Sequence, residues 1–191
     1  TTTPWTLMAN VALCVNPDLE YVKVSSMGYK FIVAKSLANK VLGDDYEVLE
    51  TYKGTDLVGT KYEQLMPFVE VEGKCFEVLA DSYVTSEDGT GIVHIAPAYG
   101  EDDNRVCREN GIGFVNPVGK DGCYTTGPWE GTLVTDKDLE IEIIKWLKEN
   151  DKLFKKIKLT HDYPHCWRCH SPLIYYSKPA WYIRTTEYKD K

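Results

Sequence analysis

The stretch GTGIVHIAPAYGEDD, residues 89–103, reveals the most about the fold and the chemistry of this chain. Its apolar run predicts a strand over 91–95, and the acidic residues after the Pro-Gly turn predict a helix over 102–110 that ends at Gly111. Glycines allow a ligand to approach the backbone, so His94 and Asp103 are candidate contact residues. A purely structural role remains open, with His94 hydrogen-bonded inside the fold and the carboxylates only starting the helix.

The rest of the chain alternates short strand-like runs with a few helical patterns. Helices are expected over 34–42, ended by Gly43, and over 136–150, capped by Thr135. Residues 116–131 form a Gly- and Pro-rich loop. Strands are expected over 11–15, 21–24, 31–33, 153–159, 173–176 and 180–184, with a hairpin joining 68–71 to 74–79. This order predicts an α+β fold built on a strongly twisted sheet or barrel.

Composition limits the classes of protein that this chain can represent. The 191 residues are 43% hydrophobic with a net charge of −7, which excludes wholesale disorder and a protein that coats nucleic acid by bulk charge. A local phosphate-contacting patch stays open. No apolar run approaches the roughly 20 residues of a membrane span. The cysteines are mostly single, which favours a reducing, cytoplasm-like compartment. The sequence starts without Met and without the apolar core of a signal peptide, which suggests that the chain is excised from a larger protein.

The opening TTTPWT, residues 1–6, concentrates four hydroxyl groups around a proline and an indole. Because threonine hydroxyls both donate and accept hydrogen bonds, they could hold a polyhydroxyl ligand such as a ribose. A Thr-rich strand edge is the alternative.

A second candidate site is HDYPHCWRCH, residues 161–170, which carries a C-x-x-C pair flanked by histidines. Cys166 and Cys169 have zinc-ligand spacing, but a closed site needs four ligands. They form either half of a zinc site, with His165 or His170 as further candidates, or a metal-free turn. The basic run over 152–158 fits a solvated strand face or a phosphate-contacting edge.

Three motifs, taken in their order along the chain, resemble isoleucyl-tRNA synthetases, specifically their inserted connective-peptide editing domain. The motifs are TTTPWT with Ala9-Asn10, GTGIVH-x-APAYGEDD, and HDYPHCWRC with Pro172-Leu173-Ile174. The match spans nearly the whole chain. The valine and leucine relatives typically carry TTRP at the first motif. Met8 stands where the family usually has proline. The resemblance implies a β-barrel-rich editing domain with a few peripheral helices, residues 1–191 forming one domain of a larger cytoplasmic synthetase and residues from about 160 to 191 returning to its catalytic body.

The resemblance also implies an activity, namely hydrolysis of valine wrongly attached to tRNA(Ile). A pocket for isoleucine rejects a substrate lacking one methylene by only about 1–3 kcal/mol, a limit for which this amino-acid pair is the standard illustration. The implied partners are the mischarged 3′ end of the tRNA and the rest of the synthetase. Whether valyl-adenylate is also edited stays open, and aminoacylation belongs to the parent enzyme.

Individual roles follow from the same resemblance. Asp103 matches the family carboxylate that holds the α-ammonium of the aminoacyl group. His94 matches the family residue that forms the wall of the side-chain pocket and excludes isoleucine. The remaining matched residues contact the ester, the ribose or the terminal adenosine: Thr1, Thr2, Thr3, Trp5, Thr6, Asn10, Ala96 and Tyr163. Catalysis is expected to position a water against the ester, helped by the neighbouring hydroxyl of the tRNA, with no protein nucleophile.

No cofactor is implied for editing. For Cys166 and Cys169, the resemblance implies that partner thiols lie upstream in the parent chain, so zinc is expected only with those cysteines. Two other hypotheses remain. The chain is a pure binding module for the tRNA 3′ end, or it is a small Thr-rich barrel with a structural zinc turn.

Overall fold

A computed structural model describes residues 1–157 and 163–189. Its six strands are β1 Ala12–Val15, β2 Glu20–Ser26, β3 Tyr29–Ala34, β4 Glu47–Lys53, β5 Glu77–Ala80 and β6 Ile92–Ile95. Its α-helices are α1 Ala38–Leu42, α2 Gly54–Leu57, α3 Glu101–Asn110 and α4 Lys137–Glu149, with 3₁₀ segments over Pro4–Ala9, Lys35–Leu37 and Thr185–Tyr188. Among the described residues, no helix has the length and apolar character to cross a membrane.

The strands form two three-stranded sheets. In the first sheet, β1 lies between β5, to which it is parallel, and β6, to which it is antiparallel. In the second, β2 pairs antiparallel with β3 and β4, and its ladder is irregular between Lys23 and Val24. The mixture of helix and sheet confirms the α+β class. Within the described residues the sheets do not close, so the expectation of a β-barrel-rich domain is not confirmed.

Strand β1 is apolar throughout because it is the central strand of its sheet. Ala12, Cys14 and Val15 are completely buried. Ala12 and Cys14 belong to the larger hydrophobic core, which α3 and α4 cover, and Val15 belongs to the smaller core under the second sheet. A strand buried on both faces needs a continuous apolar sequence, which is why this element could be predicted.

Two predicted helix ends are confirmed, and two predicted starts are corrected. The helix expected over 34–42 begins only at Ala38, because Ala34 belongs to β3 and Lys35–Leu37 is a 3₁₀ segment. Helix α1 ends at Gly43, and α3 ends at Gly111 in the left-handed conformation that favours glycine. The cap of α4 is Asp136 rather than Thr135, because the Asp136 carboxylate accepts the Asp138 N–H at 2.9 Å. The Thr-rich opening forms a 3₁₀ helix with Pro4 at its first position rather than a strand edge.

Several strand predictions are wrong. Residues 68–71 and 74–79 form no hairpin, since β5 pairs with β1 while Lys74 bridges to Ile112. Residues 153–157, 173–176 and 180–184 lie in no strand, and residues 158 and 159 are outside the described range. Conversely, β4 was not predicted. It is an exposed edge strand, and its charged residues interrupt the alternation of apolar and polar side chains by which a strand is recognised.

The second sheet fixes the segment that leads into β6. The Ala34 N–H donates to the Thr90 carbonyl at 2.9 Å, and the Tyr21 hydroxyl donates to the Gly91 carbonyl at 2.7 Å. A Cβ on Gly91 would lie 2.4 Å from the Ala34 Cβ, and the φ of Gly91 is +73°. Glycine is required here for both reasons, so the small sheet holds the strand that carries His94.

We therefore expect Gly91→Ala to lower the free energy of unfolding by about 2–4 kcal/mol, combining backbone strain with a clash against Ala34. Gly89→Ala is the matched control, because Gly89 has the same conformation (φ +72°) with nothing within 4 Å of an added Cβ. Its expected cost is about 1 kcal/mol. Urea unfolding of both variants measures the difference, and equal costs would contradict the packing argument.

Candidate functional site

A cavity of about 440 Å³ opens between the N-terminal 3₁₀ segment, the loop over 83–91, strand β6 and the start of α3. We call it the ester cavity. Most of the predicted site residues line it: Thr1, Thr2, Thr3, Thr6, His94, Ala96 and Asp103. Residues far apart in the sequence therefore meet at one site, and the loop that the second sheet fixes forms one of its walls.

A chain of hydrogen bonds holds the His94 ring. Its Nε2 lies 3.0 Å from the Thr6 hydroxyl, which in turn donates to the Thr3 carbonyl at 2.9 Å. Its Nδ1 lies 3.5 Å from the Asn10 amide nitrogen. Because the amide nitrogen can only donate, this arrangement makes Nδ1 the acceptor and places the ring proton on Nε2. Burial lowers the pKa of His94 to about 4, so the ring is neutral at pH 7.

Asn10 supports His94 from behind and does not line the ester cavity. Its amide nitrogen donates to the Ala12 carbonyl at 2.9 Å, and its amide oxygen accepts the Tyr62 hydroxyl at 2.6 Å. These two bonds fix which end of the amide faces the imidazole. Tyr62 could not be predicted as part of the site, because it lies in an irregular segment and reaches Asn10 only through the tertiary fold.

Asp103 lies in the first turn of α3, and its side chain extends into the same cavity. Its carboxylate accepts the Ala96 N–H at 2.8 Å, and no described cationic side chain forms an ion pair with it. Burial raises the pKa of Asp103. A Cβ on Gly100 would come within 2.8 Å of the Asp103 carboxyl carbon, so a side chain at this position would displace the carboxylate. A half-buried carboxylate without a counter-ion is suited to a cationic ligand.

The threonines form a continuous polar edge. The Thr1 and Thr3 hydroxyls are 3.3 Å apart, and those of Thr3 and Thr6 are 3.5 Å apart. Thr3 and Thr6 lie on one side of the segment because a 3₁₀ helix repeats every three residues. These threonines therefore line the ester cavity together, as Asp103 also does.

Trp5 and Tyr163 do not line the ester cavity. They line a second cavity of about 470 Å³, which we call the aromatic cavity. Thr2 and Thr3 border both cavities and form the wall between them. The Trp5 ring meets Tyr99 edge-on with centroids 4.7 Å apart, and its carbonyl accepts the Tyr124 hydroxyl at 2.6 Å. The two predicted groups of ligand contacts are therefore separate but adjacent.

The C-x-x-C pair lies on an exposed turn closed by two backbone bonds of 2.8 Å, from Cys166 N–H to the Ser171 carbonyl and from His170 N–H to the Cys166 carbonyl. Hydrogen bonding with Ser171 lowers the pKa of Cys169 to about 7, which favours a thiolate ligand. Among the described residues, no group of three or more His, Cys, Asp or Glu side chains could hold a metal ion.

Comparison with known proteins gives close relatives in sequence. No family model matches the chain. It is 48% identical over its whole length to the isoleucine-tRNA ligase of Clostridium novyi (strain NT), 46% to that of Clostridium tetani (strain Massachusetts / E88) and 50% to that of Bacillus thuringiensis (strain Al Hakam). The chain spans only 18% of the length of each of these relatives.

Solved structures share the fold at low sequence identity. A crystal structure of GlLeuRS-CP1 matches with a TM-score of 0.64 at 17% identity, covering 83% of both chains. The editing domain of the P. knowlesi cytosolic leucyl-tRNA synthetase matches with a TM-score of 0.60 at 14% identity, covering 80% of both chains. The architecture is therefore that of synthetase editing domains.

The lowered pKa of His94 predicts a pH dependence of stability. The pKa of His94 is near 4 in the folded state and near 6.5 in the unfolded state. Its contribution to the free energy of unfolding is therefore complete above pH 6.5 and is lost as the pH falls toward 4. We expect urea unfolding to show a loss of about 1–3 kcal/mol across this window. The contribution of Asp103 to the free energy of unfolding has the opposite sign: its pKa is raised in the folded state, so this contribution decreases as the pH rises. His94→Gln retains Asp103 and should abolish the histidine part of the slope, whereas an unchanged slope would contradict burial of a neutral ring.

Proposed function

From the premise that this chain is homologous over its whole length to isoleucine-tRNA ligases and has the fold of synthetase editing domains, we propose that it is a deacylase domain of such an enzyme. Its proposed reaction is hydrolysis of valyl-tRNA(Ile), with valyl-adenylate as a second candidate substrate. The observation that carries the proposal is one cavity lined by a half-buried carboxylate without an ion pair among the described residues, a neutral imidazole and several threonine hydroxyls. In the parent protein, residues 1–191 would form one inserted domain, with residues from about 160 returning to the catalytic body.

In this proposal, Asp103 binds the α-ammonium of the aminoacyl group, the one cation that the substrate carries there. The ammonium would supply the counter-ion that the carboxylate lacks, and the Ala96 N–H at 2.8 Å keeps the carboxylate oriented. Gly100 acts as a positioning residue, because any side chain there would displace the carboxylate.

His94 limits the size of the side chain that enters. The ring is fixed on both nitrogens, so it can act as a rigid wall rather than a mobile acid or base. Its lowered pKa agrees with this role, since a neutral ring does not repel the ammonium on Asp103. A wall that admits valine and stops isoleucine complements a synthetic site that cannot reject the smaller amino acid strongly enough.

The hydroxyls of Thr2, Thr3 and Thr6 are proposed to hold the ester and a water molecule, with the neighbouring ribose hydroxyl assisting. Holding the water and the ester together converts a bimolecular step into one that is effectively unimolecular. Asn10 acts through His94 as a positioning residue. The terminal adenosine would occupy the aromatic cavity between Trp5 and Tyr163, next to the Thr2-Thr3 wall.

The cysteine turn has no role in this reaction. Cys166 and Cys169 supply two thiolate ligands with zinc spacing, and we propose that partner thiols from the parent chain complete that site. Zinc there would cross-link the segment and leave hydrolysis to the ester cavity. A cytoplasmic location is part of the proposal, since charged tRNA is the substrate.

We expect Asp103→Asn to lower kcat/KM for deacylation of valyl-tRNA(Ile) by about 10- to 100-fold, because it removes one charged contact while keeping the shape of the side chain. Asp102→Asn is the matched control. Its carboxylate contacts Arg105 at 3.1 Å outside the ester cavity, so its rate should stay within about twofold of wild type. A wild type that binds charged tRNA without hydrolysing it would favour the binding module.

The proposed size limit is tested by His94→Ala, which removes the ring and should allow hydrolysis of correctly charged isoleucyl-tRNA(Ile). His94→Gln keeps most of the volume and a group that can hydrogen-bond with Thr6, so it should still exclude isoleucine. The measurement is the ratio of the deacylation rates of the valyl and isoleucyl esters. If His94→Ala hydrolyses isoleucyl-tRNA as slowly as wild type, His94 is not the limiting wall.

A further inference from the structure

Tyr62 does not line the ester cavity, yet its hydroxyl begins a series of hydrogen bonds that ends inside it. It donates to the Asn10 amide oxygen at 2.6 Å, and the Asn10 amide nitrogen lies 3.5 Å from Nδ1 of His94. We propose that Tyr62 is a positioning residue that keeps the His94 ring fixed as the size-limiting wall, acting through Asn10. This inference rests on the proposed function, which makes that wall the basis of substrate selection.

The fold holds the Tyr62 side chain behind Asn10. The Tyr62 N–H donates to the Phe76 carbonyl at 3.0 Å, and the two rings meet edge-on with their centroids 5.9 Å apart. The Phe76 N–H donates in turn to the carbonyl of Val11, the neighbour of Asn10 in the chain, at 2.7 Å. Burial raises the pKa of Tyr62, so its hydroxyl keeps the proton that it donates. The phenol is therefore held in place by contacts outside the ester cavity.

The Asn10 amide has one orientation that satisfies all of its neighbours. Its nitrogen carries two protons, one for the Ala12 carbonyl at 2.9 Å and one for Nδ1 of His94. Asn10 is only 5% exposed, and among the described residues Tyr62 supplies the one hydrogen bond that its amide oxygen receives. Without the phenol hydroxyl, a buried acceptor would be left unpaired, which costs more than the net value of the lost bond. The amide would relieve that cost by rotating away or admitting water, and either change removes the donor from Nδ1.

The far end of the series requires the same ring tautomer. The Thr6 hydroxyl has one proton, which it donates to the Thr3 carbonyl at 2.9 Å. The contact of 3.0 Å between the Thr6 oxygen and the His94 ring therefore needs a proton on Nε2. Every bond from Tyr62 to the Thr3 carbonyl thus runs in the same direction, and bonds arranged in this way strengthen one another.

Loss of the donor at Nδ1 has a specific consequence for the ester cavity. The His94 ring then keeps only its bond to Thr6 and is free to turn about that single contact. A wall that moves admits a larger side chain, because the choice between isoleucine and valine depends on the volume of one methylene group. Asp103 shares no hydrogen bond with this series, since its carboxylate accepts from Ala96. Tyr62 should therefore affect substrate selection rather than binding of the ammonium.

Tyr62→Phe tests the proposal, because it removes the hydroxyl and keeps the ring. Tyr46→Phe is the matched control, since the Tyr46 hydroxyl also donates to an asparagine amide oxygen at 2.6 Å, that of exposed Asn39. We expect Tyr62→Phe to raise the ratio of isoleucyl- to valyl-tRNA(Ile) deacylation rates about 3- to 10-fold, as for the loss of one hydrogen bond. Its KM for valyl-tRNA(Ile) should stay within about twofold of wild type. The control should leave both quantities unchanged, and melting temperatures check that both variants fold.

A second measurement follows the ring itself. Nitrogen NMR shifts report which imidazole nitrogen carries the proton, and the resonances of His94 are identified by their absence from the spectrum of His94→Gln. We expect wild type to carry the proton on Nε2 and none on Nδ1. Tyr62→Phe should shift the Nδ1 resonance, and Tyr46→Phe should leave it in place.

The two measurements separate failure of this inference from failure of the proposed function. An Nδ1 shift in Tyr62→Phe without deacylation by wild type would support the contact through Asn10 and contradict the proposed function. The inference is overturned if wild type carries the ring proton on Nδ1, if Tyr62→Phe leaves the His94 resonances unchanged, or if the rate ratio stays at the wild-type value while His94→Ala raises it. Should Tyr62→Phe fail to fold, hydrogen exchange in wild type decides. The side-chain amide protons of Asn10 should exchange more slowly than those of Asn39, and equal rates would overturn the inference.

Discussion

The candidate site depends on the hydrogen-bonded chain that holds His94 between Asn10 and Thr6. These contacts join the N-terminal 3₁₀ segment to strand β6, which are more than eighty residues apart in the sequence. The ring is kept neutral by burial and is fixed on both nitrogens, so it can only shape the cavity and orient its neighbours. The same contacts hold Thr6 at the cavity that Asp103 also lines. The rest of the fold supports this arrangement, because the small sheet holds Gly91 and Gly100 leaves space for the carboxylate.

Much of this arrangement could be predicted from local sequence, but not all of it. Strand β1 and helices α3 and α4 were predictable because a continuous apolar run and an amphipathic period report burial directly. The pairing of β5 with β1 was not, since Gly73 before an apolar run looks like a hairpin turn and only tertiary contacts place β5 beside a distant strand. Strand β4 escaped because it is an exposed edge. For the site, the motifs predicted most residues of the ester cavity, whereas Tyr62 acts through a contact that no motif contains. Gly100 lies inside the motif over 89–103, but its role appears only where the fold places the Asp103 carboxylate against it.

The charge of the chain can be reconciled with an RNA substrate. An excess of carboxylates prevents bulk attraction to nucleic acid, and the proposed deacylase needs to bind only one flexible 3′ end. Its carboxylate requirement is local, because Asp103 must meet an ammonium.

The most direct test of the account is a crystal structure of the chain with a non-hydrolysable substrate mimic, the valyl amide of 3′-amino-3′-deoxyadenosine. The account predicts the ammonium on the Asp103 carboxylate, the isopropyl group against the His94 ring, and the adenine in the aromatic cavity on the far side of Thr2 and Thr3. A ligand whose ammonium lies away from Asp103, or whose valyl side chain does not touch His94, would contradict it.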